Sequence, residues 1–428
     1  MNTLFINSVI SELSTLKKDS IQHINSQIKD ARKKTKEHKL LLEYAEILDK
    51  LMTDKKISPQ KLNKFLSKKY KDGKVSDYLV IEKDETEGYK VGLRSDDEYF
   101  EIENVFITSS EISQKLSLAR KTPIINLITL YEKFLRQLIY FDCKDDYYKI
   151  IENETITLSQ LLKLDFNKEN TIEYIQEQYC KDKLRGENKR ISKIISLLEI
   201  DCNDETDLLS EFDEIYFRRN IYVHSLQHLT DDYNMLPDKI KNKWINNTGG
   251  LINNQEYFNH AFKTCTKIIM LLIIKYYLYK KQSNKDLETI VDLVYKKFYN
   301  SKNTEVALFC YKQLKKLKWI CPIDRYVYFV NYMICLKRLN HPDLKIELDK
   351  WNTDTDSDMF KLAKKLVAND YYNINLLIKK LLNNSKNVEE NGYEDQFTSL
   401  TLEQIADWPL FEEYIKTEHY QELLKTQK

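Results

Sequence analysis

The chain has 428 residues, of which 42% are hydrophobic, and it carries 67 basic against 66 acidic side chains. A chain of this length exceeds what one hydrophobic core usually organises, so several domains are expected. The near-zero net charge excludes a global field that would draw the whole protein onto nucleic acid or an acidic membrane. Any polyanion must therefore be bound by a local patch.

The composition favours a mainly α fold. Only seven glycines and six prolines interrupt the chain, and its Leu-, Ile-, Lys- and Glu-rich stretches favour long helices over many-stranded sheets. The seven cysteines are scattered and never form a Cys-x-x-Cys pair. This usage is typical of reduced thiols in a cytoplasmic protein, and it predicts no structural zinc.

No segment of the sequence predicts a membrane association. The amino terminus lacks the basic and apolar regions of a secretory signal. The longest apolar run, Ile268 to Ile274, has seven residues, whereas a bilayer needs roughly 20. We therefore expect a cytoplasmic location, with this run in the middle of a buried helix.

Residues 1–56 are expected to form amphipathic helices. Their apolar residues recur at steps of three and four, which places them on one helical face. They fall at Ile6, Val9, Ile10, Leu13, Ile21, Ile24, Ile28 and Ala31, and then at Leu41, Ala45, Leu48 and Leu51.

Residues 57–118 are expected to form a small α+β module. A helix from Ser58 to about Tyr70 is followed by strand patterns at 77–82, 89–93 and 99–102, which predict an antiparallel meander. This order of elements resembles a winged-helix module, and the resemblance implies binding of nucleic acid or protein. An ordinary α+β insertion is the alternative.

Residues 119–282 are predicted to form a helical domain. A broad apolar face begins after Pro123, a helix spans Leu208 to His224, and a long buried helix runs from about Tyr257 to Lys280. A polar stretch precedes the last of these helices.

Residues 283–428 are predicted to form helical hairpins. The segments 359–366 and 374–382 resemble a tetratricopeptide-like helix pair. The aromatic segment Trp408 to Phe411 is expected to begin a final helix that caps the array. Such a scaffold shapes a dimer or holds a protein partner.

The chemical content of the chain lies in the segment from Arg219 to His224. Apolar residues mark one stripe of its helix, at Leu208, Phe212, Ile215, Tyr222 and Leu226. Arg219 stands where this stripe predicts a buried apolar side chain, and a charge there needs a partner or a function. Asn220 and His224 lie about 40° apart around the helix, whereas Arg219 and His224 diverge by about 140°. Only the long guanidinium side chain could bring both to one phosphate, which favours a second subunit closing over the site.

The pattern Arg219-Asn220-x-x-x-His224 resembles the signature of HEPN-superfamily ribonucleases. The resemblance covers about residues 119–282 and implies a HEPN-like helical bundle that forms homodimers with a composite active site. It further implies metal-independent cleavage of RNA, in antiviral defence or as a toxin, without a cofactor. One toxin subgroup is regulated through a tyrosine two residues after the histidine, and Leu226 occupies that position here, so this control is not expected.

The resemblance assigns catalytic roles to Arg219, Asn220 and His224, and substrate binding to Arg218, which also fits the spacing. In metal-free RNA cleavage the 2′-hydroxyl attacks phosphorus, so a base, an acid and a cation are needed. Histidine can fill either proton role at physiological pH, and arginine can hold two phosphate oxygens at once. Asn220 is expected to orient His224 or the phosphate.

A non-catalytic reading of the same residues stays open. In it, Arg219 pairs with a carboxylate such as Asp213 or Glu214 from a partner, and His224 caps the helix. The protein would then be an adaptor whose HEPN-like dimer and carboxy-terminal hairpins bind RNA or protein.

Overall fold

The computed structural model describes residues 3–37, 79–83, 89–93, 96–144, 155–184, 190–224, 229–246, 250–280, 284–301, 303–315, 322–353, 357–391 and 399–427. These residues are predominantly helical, which confirms the predicted mainly α class. The first nine helices are α1 (Thr3–Glu37), α2 (Asp96–Lys144), α3 (Leu158–Lys163), α4 (Lys168–Lys183), α5 (Ile191–Leu197), α6 (Thr206–His224), α7 (Asp231–Asn234), α8 (Asp238–Lys241) and α9 (Gln255–Lys280). The next eight are α10 (Asn284–Val294), α11 (Thr304–Leu314), α12 (Pro322–Arg338), α13 (Asp343–Lys350), α14 (Asp358–Ala368), α15 (Ile374–Asn391), α16 (Leu402–Asp407) and α17 (Glu418–Gln427).

Helix α1 accounts for the first part of the amphipathic amino-terminal segment. The predicted apolar positions Ile6, Val9, Ile10 and Leu13 are buried, as is Ile24 further along the helix. The second predicted apolar set, from Leu41 to Leu51, lies outside the described residues, and so does the helix expected after Ser58. The amphipathic pattern is thus confirmed for α1.

The predicted meander is a two-stranded hairpin. Strands β1 (Leu79–Lys83) and β2 (Tyr89–Leu93) pair antiparallel, with Ile81 opposite Val91. The third strand, expected at 99–102, is wrong because helix α2 already begins at Asp96. The acidic run 96–98 suits the positive end of a helix dipole, and no glycine or proline interrupts the chain before Pro123. Of the elements that carry the winged-helix resemblance, the hairpin is therefore the one found among the described residues.

Helix α2 continues through Pro123 rather than starting there. Proline removes one backbone donor from the helix interior. In the same turn, the hydroxyl of Thr122 donates to the carbonyl of Leu118 at 2.9 Å. The apolar face predicted beyond this point is confirmed: Ile124, Leu127, Tyr131, Phe134, Leu135 and Leu138 are fully buried.

The chain divides into two compact units. Unit 1 comprises Met1–Ser11, Tyr131–Asp213 and Lys263–Lys428, and unit 2 comprises Glu12–Leu130 and Glu214–Phe262. In unit 1, the ring of Phe212 meets that of Tyr131 edge-on at 4.5 Å between centroids. The four sequence segments proposed as domains stay a prediction.

The carboxy-terminal helices of unit 1 include the predicted hairpin. Helices α14 and α15 pack against each other, so this helix pair is confirmed. Asn369 ends α14 with a left-handed backbone at φ 55°, and its side-chain oxygen accepts a hydrogen bond from Lys337 of α12 at 2.6 Å. The segment Pro409–Phe411 is a single 3-10 turn, and the final helix is α17, so the helix expected from Trp408 is wrong. Trp408 is extended at φ −76° and ψ 121°, which ends α16 and prevents a continuous helix.

In the part of the chain that the structure describes, no helix combines the length and the apolar character needed to span a membrane.

We expect Asn369→Ala to destabilise the protein more than Asn369→Gly, by about 1 kcal/mol. Both changes remove the hydrogen bond from Lys337, but alanine also meets the steric penalty of the left-handed backbone, which is about 1–2 kcal/mol per residue. Urea unfolding followed by circular dichroism measures the difference. Equal stability of the two variants would contradict a left-handed residue 369.

Candidate functional site

The motif residues lie on α6, the helix that the sequence predicts from Leu208 to His224. Its centre is deeply embedded, because Glu214 to Phe217 and Arg218 are all buried. Arg219 and Asn220 are partly buried, and His224 at the last position of the helix is exposed. The motif therefore runs from the interior of unit 2 to its surface within two turns.

Glu214 and Arg218 form an ion pair inside unit 2. Both side chains have 0% exposure, and Arg218 Nη2 lies 2.6 Å from Glu214 Oε1. Arg218 Nε donates to the same oxygen at 2.8 Å. The two residues are one helical turn apart on the same face, so one charge neutralises the other where neither reaches solvent.

The segment that follows α6 completes this network. The hydroxyls of Tyr233 and Tyr257 donate to the two oxygens of Glu214, at 2.8 and 2.9 Å. Arg218 donates to the backbone carbonyls of Trp244, at 3.1 Å, and of Ile252. The guanidinium carbon also lies 3.8 Å from the centre of the Tyr257 ring. These four residues are thereby tied to one buried ion pair.

The ionisation of this network follows from its burial and its charges. Burial acts to lower the pKa of Arg218, but the opposite charge of Glu214 raises it above its ordinary value. Burial raises the pKa of Tyr257 well above its usual range, although the charge of Arg218 opposes the shift. Arg218 thus stays charged and Tyr257 stays neutral at physiological pH.

The assignment of Arg218 to substrate binding does not fit this location. Its guanidinium is fully buried and donates to Glu214, Tyr233 and two backbone carbonyls. A substrate phosphate cannot reach it without opening the core. The buried charge that the apolar stripe predicts at 219 lies instead at 218, because Glu214, one turn earlier, neutralises a charge there.

Arg219 and Asn220 are brought together by a side-chain hydrogen bond. Arg219 Nη1 donates to Asn220 Oδ1 at 3.1 Å. Arg219 Nε is buried and has no hydrogen-bond partner among the described residues, and no described carboxylate lies within ion-pair distance of this guanidinium. Arg219 therefore keeps a positive charge that no described acidic side chain neutralises.

His224 stands apart from the other two motif residues. Within the described ranges it forms no hydrogen bond with Arg219 or Asn220, and its ring is exposed at the helix end. No hydrogen bond joins Asn220 to His224 among the described residues, so the role of Asn220 in orienting His224 or the phosphate stays a prediction.

One basic side chain beside the motif was not singled out from the sequence. Lys121 of α2 places Nζ 5.4 Å from the centre of the Tyr222 ring. Burial raises the pKa of Tyr222, while the charge of Arg218 opposes the shift, so this phenol stays neutral and serves as a platform. No spacing in the sequence links Lys121 to Tyr222, because the contact joins two distant helices.

The described residues contain no group of three or more His, Cys, Asp or Glu side chains that could hold a metal ion. No family model, curated protein or solved structure matches the chain.

The adjacent arginines should differ sharply in their effect on stability. Arg218→Ala leaves the Glu214 carboxylate buried without its counter-charge, which costs about 3–5 kcal/mol in the free energy of unfolding. Arg219→Ala should cost about 1 kcal/mol or less, because it breaks no ion pair. Both variants make the same substitution at neighbouring positions of one helix, so differences in helix propensity cancel. Urea unfolding measures both, and equal losses would contradict the assigned roles.

Asp213, at the end of unit 1's part of α6, is a partly buried carboxylate of the same helix. One of its oxygens is buried and finds no hydrogen-bond partner among the described residues. Burial raises the pKa of Asp213 from 3.8 to about 6, and the charge of Arg190 acts in the opposite direction. It is therefore Glu214, and not Asp213, that holds an arginine within α6.

The raised pKa of Asp213 predicts a pH-dependent stability. Because the folded state holds this proton more tightly, its contribution is full below the unfolded value of 3.8 and is lost as pH rises through about 6. The loss amounts to at most about 3 kcal/mol. Asp213→Asn should remove this fall, so that the variant gains stability over wild type above pH 6. Urea unfolding at a series of pH values tests this, with Asp207→Asn, an exposed carboxylate of the same helix, as control. Parallel curves for wild type and Asp213→Asn would contradict the assignment.

Proposed function

We propose that this protein is a metal-independent endoribonuclease of the HEPN type, with Arg219, Asn220 and His224 at its active site. The observation that carries the proposal is the state of Arg219. Its guanidinium is partly buried, is held by Asn220, and has no described carboxylate to neutralise it. A charge in such a place is costly unless it binds an anion. A phosphate, held by two oxygens, suits this side chain.

The burial of the neighbouring arginine, Arg218, supports the same proposal. Two adjacent arginines precede an exposed histidine, and Arg218 is committed to Glu214 inside unit 2. Arg219 is therefore the arginine left to meet a substrate. Of the two arginines that fit the HEPN spacing, Arg219 is the one that has no ion pair among the described residues.

In the proposed reaction the 2′-hydroxyl of a ribose loses its proton to a base and attacks the adjacent phosphorus. The bond from phosphorus to the 5′-oxygen of the next nucleotide breaks, and an acid protonates that oxygen. The products are a 2′,3′-cyclic phosphate and a 5′-hydroxyl. Histidine suits either proton transfer near neutral pH, and Arg219 would stabilise the charge that develops on the phosphorane oxygens.

A second copy of the chain would supply the second proton-transfer group. In one chain, Arg219 is partly buried while His224 is exposed at the helix end, and the two side chains diverge by about 140° around the helix. A homodimer that places two copies of His224 at one phosphate provides both a base and an acid. A role in antiviral defence or as a toxin follows by analogy with the family alone, and residues 283–428 remain the segment proposed to hold a protein partner.

We expect Arg219→Ala and His224→Ala each to slow RNA cleavage by at least about 100-fold, because each removes a transition-state interaction. Wild type should retain its activity in EDTA. His23→Ala, which removes an exposed histidine of α1, serves as the matched control and should cleave like wild type. Release of labelled fragments from a single-stranded RNA measures the rate.

Two outcomes would reject the proposal. One is cleavage by all variants at the wild-type rate, which indicates a contaminant or another site. The other is loss of wild-type activity on chelation. RNA binding without cleavage by any variant would instead identify the non-catalytic adaptor. A growth assay separates the two cheaply, since an unrestrained ribonuclease should be toxic on expression while His224→Ala should not.

A further inference from the structure

Lys121 reaches the motif helix from a distant part of the chain. Its ammonium lies 5.4 Å from the centre of the Tyr222 ring, and Tyr222 lies between Arg219 and His224 on α6. Both residues belong to unit 2. The aromatic face holds the cation by a cation–π contact. Lys121 of α2 thereby lies beside the last two turns of α6.

The charge of Lys121 is not neutralised. No described carboxylate lies within 4.0 Å of its ammonium, and its contact in the described chain is with the neutral ring of Tyr222. Lys115, about two turns earlier on α2, differs in that its ammonium pairs with Glu111 at 4.0 Å. Of these two lysines, Lys115 has an acidic partner among the described residues and Lys121 does not.

Arg219 and Lys121 are thus two cations of unit 2 without an acidic partner among the described residues. Arg219 lies three residues before Tyr222 on α6 and is held by Asn220, while Lys121 approaches the Tyr222 ring from α2. Two such cations can be offset by an anion that carries more than one charge. Successive phosphates of one strand provide such an anion, since each of two neighbouring groups can meet one cation.

We propose that Lys121 binds a backbone phosphate of single-stranded RNA next to the phosphate held by Arg219. The two side chains suit different tasks. The planar fork of arginine can grip the reacting phosphate through two oxygens, whereas the ammonium of lysine acts as a point charge that anchors a neighbouring phosphate without fixed geometry. Lys121 then takes the substrate-binding role that the buried Arg218 cannot fill. The placement rests on the proposed function, but the RNA contact itself is tested without catalysis.

The experiment compares His224→Ala with the double variant His224→Ala/Lys121→Gln, both as full chains. Binding of a short fluorescein-labelled single-stranded RNA of mixed sequence is followed by fluorescence anisotropy over a series of salt concentrations. Loss of one phosphate contact should lower the slope of log K against log salt by about 0.7. The dissociation constant should rise several-fold at low salt and converge with that of the parent at high salt.

Two matched variants in the same His224→Ala background control for charge and folding. Lys121→Arg keeps the charge and should restore the parent slope. Lys115→Gln removes a lysine of the same helix that already pairs with Glu111, and should leave the slope unchanged. Thermal unfolding by circular dichroism verifies that each variant folds like the parent.

The outcomes separate this proposal from the proposed function. An unchanged slope in the Lys121→Gln variant, or an equal drop in Lys115→Gln, overturns the Lys121 contact even if wild type cleaves RNA. A drop confined to Lys121→Gln supports the contact even if wild type cleaves nothing, and the proposed ribonuclease then fails alone. Absence of RNA binding by the parent overturns both.

Discussion

Glu214 and Arg218 place opposite charges inside unit 2, where neither side chain is exposed. Breaking such a pair costs about 3–5 kcal/mol, because the remaining charge stays buried without compensation. Tyr233 and Tyr257 satisfy the carboxylate, while the carbonyls of Trp244 and Ile252 satisfy the guanidinium. One ion pair thus joins α6 to Tyr233 of α7, to Tyr257 of α9 and to the backbone at Trp244 and Ile252. Its burial directs one face of α6 into the interior of unit 2.

The rotation of α6 decides what its last two turns present. With Arg218 directed into the interior, Arg219 lies at the margin of the core and His224 reaches the surface. The same rotation places Tyr222 against Lys121 of α2. Helix α6 therefore carries a structural ion pair on one face and a candidate reactive surface on another. Because the ion pair must stay buried, it determines where the reactive surface lies.

The helices were largely predictable because helical periodicity is a local property. The pattern from Leu208 to His224, the apolar run around Ile268 to Ile274 and the pair α14 and α15 all follow from the spacing of apolar residues. The strand expected at 99–102 failed for a related reason. The alternation of apolar and polar residues there is short. The acidic start at Asp96, and the absence of glycine and proline up to Pro123, favour a helix that includes these residues.

For the site, the sequence by itself determined that an Arg-Asn-x-x-x-His segment lies on a helix, and that its asparagine is adjacent to a candidate arginine. The spacing of Glu214 and Arg218 also carries an ion-pair signal, since opposite charges four residues apart meet on one face. Only the tertiary structure decided which arginine is buried, because that depends on the carbonyls of Trp244 and Ile252 and on two tyrosine hydroxyls. It also decided that Lys121 lies beside Tyr222. Periodicity reports which side chains share a face, whereas the carbonyls, hydroxyls and aromatic ring that complete these contacts come from segments far apart in the chain.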